Sequence, residues 1–302
     1  MPVRDSGLVS KSLSPTTGSP TEGLDPETPL SVLRRFGIVT LEQNMTDFTV
    51  VAAMPLRGLV NPFTGHASLA GLAVLVDDVA GRVNYYRRGR GQWTVSSELT
   101  VEITPGAVAS VAAEPDEPVI ASAQPLGPVG PTLISVCTLT HAGTVIGGGT
   151  VHTVPLSGGP EEPLRRGDDP LVRTAETTLA ELMAAEPMVS DGSDYRMVQR
   201  PDPMVNNLIG IVHGGVSSAG LEIVASAAVN HGQAEPLRTG SIRVNFLRPF
   251  FSSAGVGAES VCAESVYVGS ALRVGRTAAV GDARAIGPDG KSAVIARVTA
   301  YR

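Results

Sequence analysis

Cysteine is scarce: Cys137 and Cys262 are the only two in 302 residues, and they sit in strand-like apolar runs at unrelated places in the chain. Two such thiols cannot make a metal site by themselves, and they read as buried, reduced groups in a cytoplasmic setting. His66, His141, His152 and His231 show no mutual spacing that suggests a ligand set, so no metal is expected. Long basic runs and interleaved basic and aromatic residues are also missing. With 23 basic against 29 acidic residues and a formal charge of −6, nucleic acid is not an expected partner. The longest apolar run, 69–76, is far too short to span a bilayer. Residues 1–5 lead into a Ser/Thr/Pro/Gly tract rather than an apolar core, so neither a secretory signal nor a membrane partner is expected.

What the chain does have is apolar material, 42% of residues against 17% charged, enough for a soluble globular protein of about two ordinary domains. It also repeats itself. Gly210-Ile211-Val212-His213-Gly214-Gly215, with Glu222 beyond, has a damaged counterpart at Gly65 to Asp77. Laying Gly65 on Gly210 puts Ser68 on His213 and Asp77 on Glu222, and 210−65, 213−68 and 222−77 all equal 145. A gapless offset that keeps a glycine, an apolar helix opening and a carboxylate marks two copies of one structural unit.

The punctuation agrees. Residues 1–29 carry five prolines among Ser, Thr and Gly with little to anchor them, the composition of a flexible tail. Prolines and glycines again break the chain over 155–171, read as a linker between an N-terminal unit, 30–154, and a C-terminal unit, 172–302. Each unit has a short helical lead (30–36; 172–185), an extended segment (38–54; 195–200), a Val-Asn turn and a small-residue apolar helix (68–81; 213–230). In the second helix Val216, Ala219, Ile223 and Ala227 fall on one stripe. Strand-like runs follow, at 94–104, 107–113, 119–123, 133–140 and 144–154 in the first unit and 239–246, 256–268, 271–285 and 293–301 in the second. One helix followed by hairpin strands implies an α+β unit, an antiparallel sheet packed on its helix. Gly143 and Gly269 read as turns or bulges.

The string Asn207-Leu208-Ile209-Gly210-Ile211-Val212-His213-Gly214-Gly215, with an acid nine residues past the histidine, resembles the N-x-x-G-x-x-H-G-G…D/E pattern of hotdog-fold acyl-CoA thioesterases of the phenylacetate-pathway type. Ser241-Ile242-Arg243-Val244-Asn245-Phe246-Leu247-Arg248-Pro249 is similar to that family's strand ending in Arg-Pro. The match spans roughly 172–302 and reaches the first half through the repeat, which implies two tandem hotdog domains paired within one chain. It further implies hydrolysis of an acyl-CoA, or less favourably of an acyl-carrier-protein thioester, with no cofactor beyond the coenzyme A of the substrate. A dimer of such chains is compatible with the fold. A non-catalytic acyl-CoA-binding or regulatory protein is the alternative, and a hotdog dehydratase is disfavoured because its helix-borne Asp and His pattern is not recognisable.

The chemistry of the motif agrees with the resemblance. Gly214 and Gly215 open a helix, where unpaired N–H groups and the positive dipole end meet a face without Cβ atoms. Such donors suit a thioester oxygen on which negative charge grows, and an acid supplies a base or nucleophile. Nine residues along a helix rise about 13 Å, so Glu222 leaves the opposite face from His213 and cannot readily serve its own helix start. The resemblance implies that paired units exchange acids. One site then joins Asn207, His213 and Gly214 to Asp77, with Gly214 N–H polarising the carbonyl and Asp77 acting as base or nucleophile. Asn207 orients the thioester or water, and His213 supports the turn or touches the carbonyl. Ser96, or its neighbour Ser97, resembles a hydroxyl that helps hold the water. The mirror site joins Glu222 to Pro62, Ser68 and Leu69 and has lost its Asn, His and Gly.

Several residues also carry plainer readings. Gly215, Asp78, Ser68 and Arg90 are candidates for substrate contact, and Asp78 adjoins Asp77 without the sequence deciding which carboxylate faces the site. Ser68 reads better as a helix cap. Arg87-Arg88-Gly89-Arg90 reads as a solvated loop, with coenzyme A phosphates as the functional option. Gly147-Gly148-Gly149-Thr150 lacks the lysine of a phosphate loop.

Overall fold

The computed structural model describes residues 32–158, 169, 171–188, 192, 194–252 and 264–302. The expected tail 1–29, most of the expected linker, Cys262 and part of the expected strand 256–268 lie outside them. In chain order the elements are α1 (Val32–Phe36), β1 (Val39–Asn44), β2 (Thr49–Met54), α2 (Gly71–Tyr86), β3 (Gln92–Ile103), α3 (Ala107–Ala113), β4 (Val119–Pro125), β5 (Leu133–His141) and β6 (Thr144–Ser157). They continue with α4 (Leu179–Leu182), β7 (Ala185–Pro187), β8 (Tyr195–Gln199), α5 (Gly214–Val229), β9 (Arg238–Phe246), β10 (Ser265–Val274), β11 (Ala278–Ile286) and β12 (Ser292–Tyr301).

The strands form one sheet in the order β1-β2-β4-β5-β6-β3-β9-β12-β11-β10-β8-β7. Read outward from the β3–β9 junction, the two halves repeat each other, with β6 matching β12, β5 matching β11 and β4 matching β10. The junction is antiparallel and runs from Glu98 opposite Asn245 to Glu102 opposite Ser241. Each half wraps one long helix, and α2 packs against α5 across the middle. All but one residue of α5, Gly214, are buried. Small residues make this enclosure possible, since a Cβ on Gly281 of β11 would sit 3.1 Å from the Ala225 carbonyl oxygen of α5. Leu72, Leu75, Val76, Val79 and Val83 fill the space between α2 and its half of the sheet, each contributing about 1.5–3 kcal/mol of burial. Buried Arg35 of α1 ties the halves together by pairing with Asp169 at 2.5 Å and Asp202 at 2.6 Å.

The repeated glycine has a backbone cause. Gly65 and Gly210 have φ of 68° and 81°, a left-handed turn that side chains with a Cβ rarely adopt, and each precedes its helix by a few residues.

Several local expectations are corrected. Residues 107–113 form a helix, α3, not a strand. It starts after Pro105-Gly106, and buried His141 holds it through Ser110 Oγ at 2.9 Å and the Glu114 carbonyl at 3.1 Å. The extended segment 38–54 is a hairpin, β1 and β2, turned at 45–48 where Phe48 takes φ of 54° and Asn44 Oδ1 accepts the Thr46 and Asp47 N–H groups. Of the lead 172–185 only Leu179–Leu182 is helical, started by a capping box between Thr178 and Glu181. Helix α2 begins at Gly71, three residues after Ser68, whose Oγ accepts the Ala70 N–H at 3.2 Å in the turn before it. Gly269 marks no turn. It lies within β10 where a Cβ would run into the backbone of Val224 and Ala225.

Candidate active site

Helix α5 starts where the sequence places it, with His213 as its N-cap. His213 Nδ1 accepts the Gly215 N–H at 3.1 Å. The same N–H points at the acid of the other half: Gly215 N donates to Asp77 Oδ2 at 2.7 Å. Ser96 Oγ, on β3, donates to Asp77 Oδ1 at 3.0 Å, and His213 Nδ1 lies 3.4 Å from Oδ2. Asp77 therefore stands on α2 with its carboxylate docked on the positive end of α5. The N–H of Gly214, first residue of that helix, has no acceptor among the described residues.

Both glycines are required by close approach. A Cβ on Gly215 would lie 2.5 Å from Val74 Cα, so this glycine lets α5 cross α2 backbone to backbone. A Cβ on Gly214 would meet Asp77 Oδ2 at 2.7 Å and Phe246 Cε1 at 3.3 Å.

Asp77, Ser96, His213 and Gly214 line a cavity of about 500 Å³ between α2, β3, β6 and the loops 207–213 and 246–250. Asn207 forms part of its wall, with Oδ1 held by the Ile209 and Ile211 N–H groups at 3.1 and 3.2 Å. That turn leaves the amide nitrogen as the end of the side chain that can serve the cavity. Apolar residues such as Trp93, Val95, Leu208, Ile211 and Phe250 supply most of the remaining surface.

Four candidates behave differently from their sequence reading. Asp78 lines the cavity but is spent in a buried ion pair with Arg82 at 2.7 Å, so the carboxylate facing α5 is Asp77. Gly215 is not part of the cavity lining, because its N–H is committed to Asp77 and His213 and its Cα to the helix crossing. Ser68 lies in a different pocket, described below. Arg90 is exposed in the loop between α2 and β3 and is not a lining residue. Nor is its loop simply solvated. Arg87 is buried and donates to the Gly127 and Ile134 carbonyls, while Arg88 stacks over the Tyr85 ring at 3.4 Å. Ser97, the alternative to Ser96, donates to the His152 carbonyl on β6 instead.

The mirror pocket is small, about 40 Å³. Glu222 is buried there and accepts from Thr239 Oγ1 at 2.5 Å, while Oε2 has no hydrogen-bond partner among the described residues. Burial drives its carboxyl above the ordinary value of 4.5, with the hydroxyls of Thr239, Ser226 and Ser68 offsetting part of the shift. Ser68 and Leu69 line this pocket, whereas Pro62 is not part of its lining. Asn61 fills the groove by donating to Ser226 Oγ and the Ile223 carbonyl, both at 2.9 Å.

Thr153 in the main cavity was not foreshadowed by any motif. Its one sequence signal is alternation along β6, which puts Thr153 on the same inward face as Val151. Among the described residues no group of three His, Cys, Asp or Glu side chains could hold a metal, and no helix is long and apolar enough to cross a membrane.

Two helices, each wrapped by an antiparallel sheet and paired through adjoining edge strands, define an α+β double hotdog. Solved structures share it. The chain is similar to an acyl-CoA thioesterase II, TesB2, from Mycobacterium marinum at 10% identity and a TM-score of 0.54, over 90% of this chain and 97% of that one. It is similar to a tesB protein from Mycobacterium avium subspecies paratuberculosis at 14% identity and a TM-score of 0.55, over 89% of this chain and 97% of that one. No family model and no curated protein matches the chain.

Proposed function

We propose that the chain hydrolyses acyl-CoA thioesters at one composite site, made from the start of α5 and the acid of α2. The observation that carries this reading is the docking of Asp77 on the Gly215 N–H beside a Gly214 N–H still available to a substrate, both at the wall of one cavity. The acyl-CoA thioesterase from Mycobacterium marinum supports the same chemistry on the same fold.

In this reading the thioester oxygen sits against the Gly214 N–H, where a helix start stabilises the charge that develops on it. Asp77 takes a proton from water while the hydroxide adds to the carbonyl carbon, or its carboxylate adds directly and the resulting anhydride is hydrolysed. The C–S bond breaks, and the coenzyme A thiolate leaves and takes up a proton. Ser96 holds Oδ1 and Gly215 holds Oδ2, so the carboxylate is oriented before substrate arrives. Asn207 orients the thioester or the water from the facing wall.

The test is thiol release from a panel of acyl-CoAs by the wild type, Asp77→Asn and Glu222→Gln. The expected result is a loss of at least a hundredfold in Asp77→Asn and near wild-type rates in Glu222→Gln. Equal loss in both variants, or loss confined to Glu222→Gln, would sink the composite site.

A further inference from the structure

Beyond the reacting groups the cavity continues along α2. Asp77, Gly81 and Tyr85 recur every four residues and all line it, so they share one helix face. A Cβ on Gly81 would have no heavy atom within 4 Å. The absent side chain therefore opens space. In α5 the corresponding residue, by 226−81=145, is Ser226, and there the groove is closed by Asn61.

The wall of this arm includes Thr153 of β6, which stands opposite Ser96 of β3. Thr153 is 2% exposed, yet its Oγ1 has no hydrogen-bond partner among the described residues. An unsatisfied buried hydroxyl costs free energy, and folds rarely keep one without a use for it. The other half shows that the fold does not need it. There Thr239, which bonds Glu222 as Ser96 bonds Asp77, stands opposite Ala300, also buried. Asp78 and Arg82 beside the same arm correspond to Ile223 and Ala227, so at these two helix positions the second half carries apolar side chains instead. Asp78 and Arg82 already neutralise each other, which disfavours a free carboxylate as the group they face.

Resting on the acyl-CoA hydrolase reading, we infer that the arm over Gly81 holds the acyl group and that Thr153 is a specificity-determining residue. It selects acyl groups bearing a neutral oxygen function, a hydroxyl or a carbonyl, over their plain hydrocarbon counterparts. A threonine hydroxyl can donate to a carbonyl, or both donate to and accept from a hydroxyl. A site built around such a bond discriminates more sharply than an apolar pocket can.

The experiment compares kcat/KM for matched pairs of acyl-CoAs, identical except for one oxygen function, in the wild type and in Thr153→Val. The wild type is expected to favour the oxygenated member about tenfold or more, and Thr153→Val to bring that ratio to about one. Calorimetric binding of non-hydrolysable thioether analogues of the same pairs should show the same preference and the same loss. Because valine replaces an unpartnered hydroxyl at nearly equal volume, Tm should stay level or rise; a fall of several degrees would show the hydroxyl to be structural and overturn the assignment. Hydrolysis with no preference in the wild type, or a preference that survives Thr153→Val, overturns the inference and leaves the hydrolase standing. Analogue binding with a Thr153-dependent preference but no turnover of any acyl-CoA overturns the hydrolase and keeps the selectivity. Neither turnover nor preference overturns both.

Discussion

Asp77 and Gly215 are separated by 138 positions in the chain and joined by a hydrogen bond of 2.7 Å. The corresponding pair, Glu222 and Ala70, takes different partners: Ala70 N–H donates to Ser68 Oγ at 3.2 Å, and Glu222 turns to Thr239 on its own half. Ser68 thus stands in for His213 in the local turn, since each accepts the N–H two residues on. What the first half lacks is the bond from its helix-start N–H to the acid of the other half. Leu69 stands where the second half has Gly214.

The two glycines should fail in different ways. Gly215→Ala drives a Cβ into the Val74 backbone, so thermal unfolding should show destabilisation of about 1–3 kcal/mol or more, together with lost activity. Gly214→Ala meets the end of the Asp77 side chain, which can move. Its Tm should stay within a few degrees of wild type, while kcat falls about 10²–10³-fold as the carboxylate and the carbonyl donor lose their alignment.

Glu222 should make the protein less stable as pH rises. Its carboxyl is raised in the folded state by burial, so the folded chain holds this proton to a higher pH than the unfolded chain does. Its stabilising contribution is complete below the unfolded value near 4.5 and declines as pH rises from there through the folded value. Glu222→Gln removes that dependence. Melting curves from pH 4 to pH 8 should show the variant gaining on wild type as pH increases; a constant difference would show that Glu222 is not the titrating group.

The Asp78–Arg82 pair offers a stability test within the cavity wall. Asp78→Ala removes the carboxylate paired with a buried guanidinium and should cost about 3–5 kcal/mol. Replacing both, as Asp78→Leu with Arg82→Met, should be neutral or stabilising by up to about 4 kcal/mol. Denaturant titrations of the single and double variants decide it, and a double variant as unstable as Asp78→Ala would show that the pair itself holds the half together.

Base and nucleophile roles for Asp77 separate in a single turnover run in ¹⁸O-labelled water. General-base catalysis places one labelled oxygen in the acid product at the first turnover. Direct attack followed by hydrolysis at the aspartyl carbon of the anhydride leaves the product unlabelled and the label on Asp77, which mass spectrometry of the peptide detects.

Some of this architecture is legible in the residues because it rests on local constraints. Gly65 and Gly210 report a left-handed turn, and the opening of α5 reports itself through His213-Gly214-Gly215. Helix rise removes Glu222 from its own helix start, and the resemblance, carried through the repeat, implies Asp77 in its place. Other features depend on packing that no short window contains. The turn at 45–48 has neither Gly nor Pro, so β1 and β2 look continuous. Ala107-Val108-Ala109-Ser110 belongs to an apolar run that reads as a strand but is helical, with Ser110 anchored by a histidine 31 residues away. Thr153 enters the cavity wall because β6 pairs with β3, a neighbour fixed by sheet order rather than by sequence proximity.

The continuous β3–β9 seam has a genetic consequence. Where identical subunits meet in this way, every substitution near the helix start is imposed on both sites at once, so a leucine in place of the helix-start glycine would stand in both. Covalent joining makes the copies separately mutable. One half can then surrender its helix start and keep only its acid, while the other gives its acid over to the core. The freed groove, with Asn61 lodged in it, becomes a place where substitutions serve packing instead of turnover.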